Sequence, residues 1–367
     1  MLPEGLCIWW RRGWTDLRKL REVRLKIEYL QISGRNTSYA YATGRIRGLE
    51  KQLLKEGDFA RIKEAEGLRE VLQILSKTFP YSESMKKVEK DEEFEIGLEE
   101  ELKRTYEDLR SFCPEPDLVD LFWFEYDFHN LKVLFRIYLQ GKTSEPGKDL
   151  FISGTQDPQV LEEALRTRNF TALSPEFQGL LKESLSFVKE NSHPQDVDSF
   201  LDRRLFKWLS FKVRNYSDPF LDELLQIKID RFNLLSFLRI KFWKVSDEKK
   251  LLDRTLVDGG MVERERLLKL AGGSEELLAR ELENTDYGRA VEEVLKEEAQ
   301  DSLVSLGKFF DEYILRHTKR GSYVTFGREP LVNYILLKKR EIKNLRRILR
   351  GKMAGLSQSQ IERYAYA

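Results

Sequence analysis

PDLVDLFWFEYDFHNLKVLFR, residues 116–136, occurs in this chain three times in diverged form. The other copies are PFLDELLQIKIDRFNLLSFLR (219–239) and PLVNYILLKKREIKNLRRILR (330–350). Each begins with proline, at Pro116, Pro219 and Pro330. An acid follows eleven positions later as Asp127, Asp230 and Glu341. Asn130, Asn233 and Asn344 come three positions after the acid, directly followed by Leu131, Leu234 and Leu345. Arg136, Arg239 and Arg350 close the copies. They align without gaps and start 103 and 111 residues apart. Three of the ten prolines thus share one register, which coincidence explains poorly.

The repeated stretch reads as a helix. The leucine and the apolar pair after it (Leu134/Phe135, Phe237/Leu238, Ile348/Leu349) recur at i, i+3, i+4, one buried stripe. Proline suits a first helical turn, whose N–H needs no partner. Asp218 is the expected N-cap before Pro219. Gly141 and Gly351 are expected to stop two of the helices. Proline to arginine is 21 residues, about 31 Å of helix. A period near one hundred residues exceeds that of ordinary solenoids. It predicts three small helical domains at 38–142, 143–246 and 247–367. A weaker echo precedes each copy: Val71/Leu75/Thr78, Leu161/Leu165 and Leu278/Leu282/Thr285, with Arg168 in place of a threonine.

Outside the repeat the chain also reads as helical, from Tyr39, Ala42, Ile46, Leu49 and Leu53 onward. Residues 79–95, 141–149, 191–196 and 317–329 read as loops, and Gly259-Gly260 and Gly272-Gly273 as turns.

The aspartate, histidine and asparagine of YDFHNLK invite a catalytic or metal reading. His129, however, aligns with Phe232 and Lys343, so the unit does not require it. The recurring asparagine is expected to bond a backbone end of a neighbouring helix. The recurring arginine should pair with an acid of another helix or cap a carbonyl. Rival readings are a threefold active site and an enzyme using Asp127 and His129 as acid and base. The three histidines lack metal-ligand spacing. No His-Glu-x-x-His, Cys-x-x-Cys or Gly-x-Ser-x-Gly is present. Gln140-Gly141-Lys142-Thr143 resembles the end of a phosphate-binding loop, but Arg136 stands where its first glycine belongs. No nucleotide, metal or other cofactor is expected. The basic face Lys338-Lys339-Arg340 with Arg346-Arg347 reads first as a solvated face and next as contact to an acidic partner.

The 367 residues are 34% charged and 41% hydrophobic, with net charge +1. That length exceeds one ordinary core, and the charge gives no bias toward nucleic acid. Two cysteines exclude a disulfide framework. No apolar run approaches the roughly 18–20 residues that span a bilayer. Residues 1–37 carry three of the six tryptophans and eight Lys/Arg against four Asp/Glu. The preferred reading is a start assigned too far upstream, with a basic membrane anchor as the alternative.

Three stretches together resemble a known family. Tyr39 to Arg47 match its tyrosine-alanine opening into Ala-x-x-Arg-Ile-Arg, with Gly44 beside Arg45. Asp127, His129, Asn130 and Leu131 match its Asp-x-His-Asn-Leu signature, and Arg340, Glu341, Asn344 and Arg346 its last helix. The pattern is similar to the C subunit of the archaeal and bacterial V/A-type ATPases, the counterpart of the vacuolar d subunit. It runs from about Ser38 to the C-terminus. The resemblance implies an all-α fold of three similar helical domains in a pseudo-threefold funnel. It implies a non-catalytic rotor part that receives the axle, made of the D and F subunits, and rests on the proteolipid (c-type) ring at the cytoplasmic membrane face. Polar and aromatic residues on the inward ends of the repeated helices are the expected axle contact. A free-standing helical adaptor is the alternative.

Overall fold

A computed structural model describes residues 37–141, 152–191, 193–244 and 247–364. Only Thr37 of the N-terminal extension is among them, so both readings of residues 1–37 lie outside the described residues. So does the expected loop 141–149 beyond Gly141. The described residues form seventeen α-helices and short 3₁₀ turns, with no strand. The chain is all-α.

The first stretch contains α1 (Ala40–Glu50), α2 (Glu56–Glu64), α3 (Leu68–Ser76), α4 (Tyr81–Ser84), α5 (Phe94–Phe112) and α6 (Pro116–Leu139). The second contains α7 (Pro158–Thr167), α8 (Pro175–Glu190), α9 (Pro194–Tyr216) and α10 (Pro219–Trp243). The third contains α11 (Glu248–Thr255), α12 (Arg264–Lys269), α13 (Glu276–Leu282), α14 (Gly288–Val294), α15 (Ala299–Thr318), α16 (Glu329–Met353) and α17 (Gln358–Tyr364).

The three repeats are the long helices α6, α10 and α16. Pro116 and Pro219 open theirs, and Pro330 is the second residue of α16. Asp218 caps α10, accepting from Phe220 N at 3.0 Å. Gly141 ends α6 in a left-handed conformation (φ 65°), which glycine adopts without strain. Gly351 does not end α16, which runs on to Met353. A Cβ there would stand 2.7 Å from Ile361 Cγ1, so this glycine lets α17 lie close against α16. The turn falls instead at Gly355 (φ 68°). Residues 79–95 are not merely a loop: α4 and two 3₁₀ turns occupy most of the segment.

The predicted stripe is the core. Leu131, Phe135, Leu234, Phe237, Leu238, Leu345, Ile348 and Leu349 are wholly buried and Leu134 nearly so. Val71, Leu75, Leu161, Leu165, Leu278 and Leu282 of the weaker echo are buried as well. Each such side chain contributes roughly 1.5–3 kcal/mol of hydrophobic stabilisation.

Helix contacts follow a cycle. α6 packs on α9, α10 on α15, and α16 returns to α5. Each repeated helix also packs on the helix just before it: α5 on α6, α9 on α10, α15 on α16. α1 lies against α16, as α11 lies against α10.

Candidate functional site

Asp127, Asp230, Glu341, Asn130 and Asn233 all find hydrogen-bond partners inside the chain. Asp127 accepts from Thr155 N (3.1 Å), Thr155 Oγ1 (2.7 Å) and Gln156 N (2.9 Å). Asp230 accepts from Met261 N (3.1 Å), Val262 N (3.0 Å) and the Tyr287 hydroxyl (2.9 Å). Glu341 accepts from Leu54 N (2.5 Å), the Tyr81 hydroxyl (2.8 Å) and Lys338 (2.6 Å). Asn130 exchanges two bonds with the backbone of Ile152 (2.7 and 2.9 Å). Asn233 does the same with Val257 (2.8 and 2.9 Å). Asn344 is buried beside Glu341. The Asn130 partner is the irregular segment that leads into α7, whereas the Asn233 partner, Val257, directly follows the C-cap of α11, a helix end as expected.

Each repeated helix therefore clamps a segment of the next stretch, before α7 for α6 and just after α11 for α10, and α16 clamps the segment after α1. A side-chain amide matches one peptide unit, donor to acceptor, which is why asparagine recurs. Burial pushes the Asp127 carboxyl up to about 7 against its three donors, and the Asp230 carboxyl to about 6. Both stay acceptors without a cation bonded to them.

Sequence reasoning missed the residues that complete the clamps. A Cβ on Gly154 would meet Asp127 Oδ1 at 2.1 Å, and one on Gly260 would meet Asp230 Oδ1 at the same 2.1 Å. Gly259 (φ 101°) is a turn as expected, whereas Gly260 is a close-approach site. Tyr81 and Tyr287 supply matching hydroxyls to the acids of α16 and α10. The signal was present: both glycines follow a repeated helix at similar distance.

The closing arginines pair as expected in two copies. Arg136 bonds Asp198 on α9, and Arg350 bonds Glu95 on α5 at 2.6 Å. One turn earlier, Lys132 pairs with Asp202 (2.5 Å) and Arg346 with Glu99 (2.5 Å) and Glu95 (2.7 Å). The later cation meets the earlier acid, so these helices run antiparallel. Arg239 is exposed and makes no ion pair among the described residues. Lys241 and Lys352, two residues beyond their arginines, bond carbonyls past α12 and at the end of α2: Gly273 O and Lys63 O, both 2.8 Å. The basic face of α16 is thus not solvated: Lys338 is buried against Glu101 (3.0 Å) and Glu341, and Arg346 between two glutamates.

Two sets of equivalent positions converge. Glu115 and Asp218, each preceding its proline, are joined by Arg328, which bonds Glu115 at 2.6 and 2.7 Å and Asp218 at 3.0 Å. Arg328 holds the Glu115 carboxyl below its usual value. Glu329, the third equivalent, is buried and pushed up to about 7, with Asp218 adding to the rise. Nine residues after each proline stand Glu125, Lys228 and Lys339. Lys228 pairs with Glu125, and Lys339 lies 3.5 Å from the same carboxyl and 2.5 Å from Phe122 O. Burial alone would raise Glu125, but Lys228, Lys339 and Arg231 outweigh it and hold the group at about 2.

His129 is half-buried on α6. Among the described residues no group of three or more His, Cys, Asp or Glu is placed to hold a metal ion. No described helix is long and apolar enough to cross a membrane.

Comparison with known proteins agrees with this architecture. The C subunit of the V-type sodium ATPase of Enterococcus hirae is 26% identical over 318 residues, covering 86% of this chain and 94% of that protein. The C subunit of the A-type ATP synthase of Thermococcus kodakarensis is 27% identical over 355 residues, covering 91% and 92%. That of Methanocaldococcus jannaschii is 26% identical over 344 residues, covering 88% and 85%. The family model described as ATP synthase (C/AC39) subunit matches residues 42–364. Spanning the clamps, the arginine pairs and both convergent clusters, that match places the chain in the ATP synthase (C/AC39) subunit family.

Proposed function

We propose that this chain is a non-catalytic rotor part of a V/A-type ATPase that couples the central axle to the membrane ring. The carrying observation is the cycle: three equivalent helices each clamp the next stretch, and Glu125, Lys228 and Lys339 meet at one point. A near-threefold body has an axis of its own and suits a seat on the axis of a rotating assembly. Its three units are residues 38–142, 143–246 and 247–367, arranged as a funnel. The proline ends of the helices, drawn together at Arg328, form its narrow end. One end receives the axle, the D and F subunits. The other end rests on the proteolipid ring at the cytoplasmic face. Close-packed helices yield little under load, which torque transmission requires. The intrachain use of Asp127, Asn130 and their equivalents supports a coupling role over a threefold active site.

The test is size-exclusion chromatography of the chain, with and without residues 1–37, mixed with the purified D–F pair from the same source. One-to-one co-elution of both forms supports the socket. Separate elution of both removes the axle contact and favours a free-standing adaptor.

A further inference from the structure

The convergent cluster on α10 and α16 carries more positive than negative charge. Lys228 and Lys339 share the Glu125 carboxylate. Arg231 (3.2 Å) and Lys343 (2.8 Å) share Asp311 of α15. Arg231 stands three residues after Lys228 on α10 and Lys343 four after Lys339 on α16, so the two groups lie one turn apart on the same helix faces. In these ion pairs among the described residues, four cations thus stand around two carboxylates.

The surplus has physical consequences in the molecule. Burial and the neighbouring cations lower the ammonium pKa of Lys228, and those of Lys339 and Lys343 fall with burial. The Arg231 Nε–H is buried and has no hydrogen-bond acceptor. A buried donor without an acceptor is costly. Yet the cluster is not sealed: the Lys343 side chain is 42% exposed and that of Arg231 33%. A carboxylate arriving from outside would meet the partly exposed Lys343 and Arg231 side chains, which share Asp311.

We propose that this cluster is the seat of an acidic segment of the axle, whose carboxylates complete the charge balance that Glu125 and Asp311 leave open. The proposal rests on the rotor reading above and adds the chemistry of the contact. The seat is chemically uneven, since the three equivalent positions carry one glutamate and two lysines. An acidic segment therefore settles against α10 and α16 rather than α6. That fixes one of three rotational settings of the axle in the socket. Electrostatic complementarity sets orientation and register in this way.

The experiment titrates the full chain with the D–F pair from 50 to 300 mM NaCl, with a fluorescent hexaglutamate peptide as a second probe. The unaltered chain is expected to bind both, more weakly as salt rises, since exposed charges are screened within about 10 Å at 0.1 M. Lys343→Gln and Arg231→Gln should each weaken the D–F pair about tenfold and flatten the salt dependence. Lys249→Gln, on α11 away from the cluster, should change neither. Circular dichroism and thermal unfolding check that the variants fold. If the unaltered chain binds D–F while both cluster variants bind within twofold of it, this inference fails and the rotor reading stands. If the unaltered chain does not bind D–F, the rotor reading fails and the peptide decides. Peptide bound by the unaltered chain and lost in Lys343→Gln sustains the acidic seat. Peptide bound equally by both, or by neither, overturns it.

Discussion

The clamp of α6 on the second stretch and the clamp of α16 on the first use one register with different chemistry. Asp127 is wholly buried and meets only neutral donors, so desolvation prevails and the carboxyl is pushed to about 7. Glu341 sits with Lys338, Tyr81 and Glu101, and Glu101 is bonded in turn by Arg104 (2.6 Å) and the Ser84 hydroxyl (2.6 Å). Two cations and two carboxylates balance there. The topology of the chain gives a reason. Asp127 and Thr155 are 28 residues apart, whereas Glu341 and Leu54 are 287 apart. Loop closure over the longer span costs up to about 2 kcal/mol more. No peptide crosses the seam between the last and first stretches, and ionic contacts gather where closure is hardest. Arg47 adds to that seam, bonding Ser322 O at 2.9 Å.

The largest expected effect lies at that seam. Lys338→Met leaves Glu341 and Glu101 buried without their shared ammonium. It should cost about 3–5 kcal/mol in urea unfolding. A loss below about 1 kcal/mol would show that closure does not depend on the buried ions.

The first seam should respond to pH instead. Asp127 binds its proton more tightly folded, at about 7, than its ordinary value of 3.8. A raised carboxyl stabilises below the unfolded value, and that stability is lost as pH rises toward the folded one. The advantage of the unaltered chain over Asp127→Asn should therefore shrink between pH 4 and 7, by at most about 4 kcal/mol. A pH-independent difference would place charge balance at Asp127 that the geometry does not show.

The asparagines test whether the clamps are alike beneath this difference. Asn130→Ala and Asn233→Ala each strand one backbone N–H and one carbonyl. Each should lose about 2–3 kcal/mol in the same unfolding assay. Unequal losses would mean that the two segments are held by different contacts.

Smallest is the surface pair. Arg136 is half exposed, so Arg136→Ala should cost under about 1 kcal/mol. His129→Gln should leave D–F binding within twofold, since Phe232 and Lys343 hold its equivalent positions. Abolished binding with an intact fold would revive a special role for this histidine.

The repeat was legible because packing imposes it. A stripe at i, i+3, i+4, a proline at the helix start and an asparagine facing a peptide each need one residue type at one register. The all-helical class and the helix starts followed from these local requirements. Gly351 was misread because a glycine near a helix end signals both a stop and a close approach, and only the position of Ile361 distinguishes them. The basic face of α16 was misread because the glutamates that neutralise it lie about 250 residues upstream. By itself the sequence determined three equivalent helices and their buried stripes, since those depend on neighbours one turn away. Only the tertiary structure decided that each helix serves the next stretch, that α16 returns to the first, and that Glu125, Lys228 and Lys339 meet. Those facts depend on contacts between parts distant along the chain, which no periodicity records.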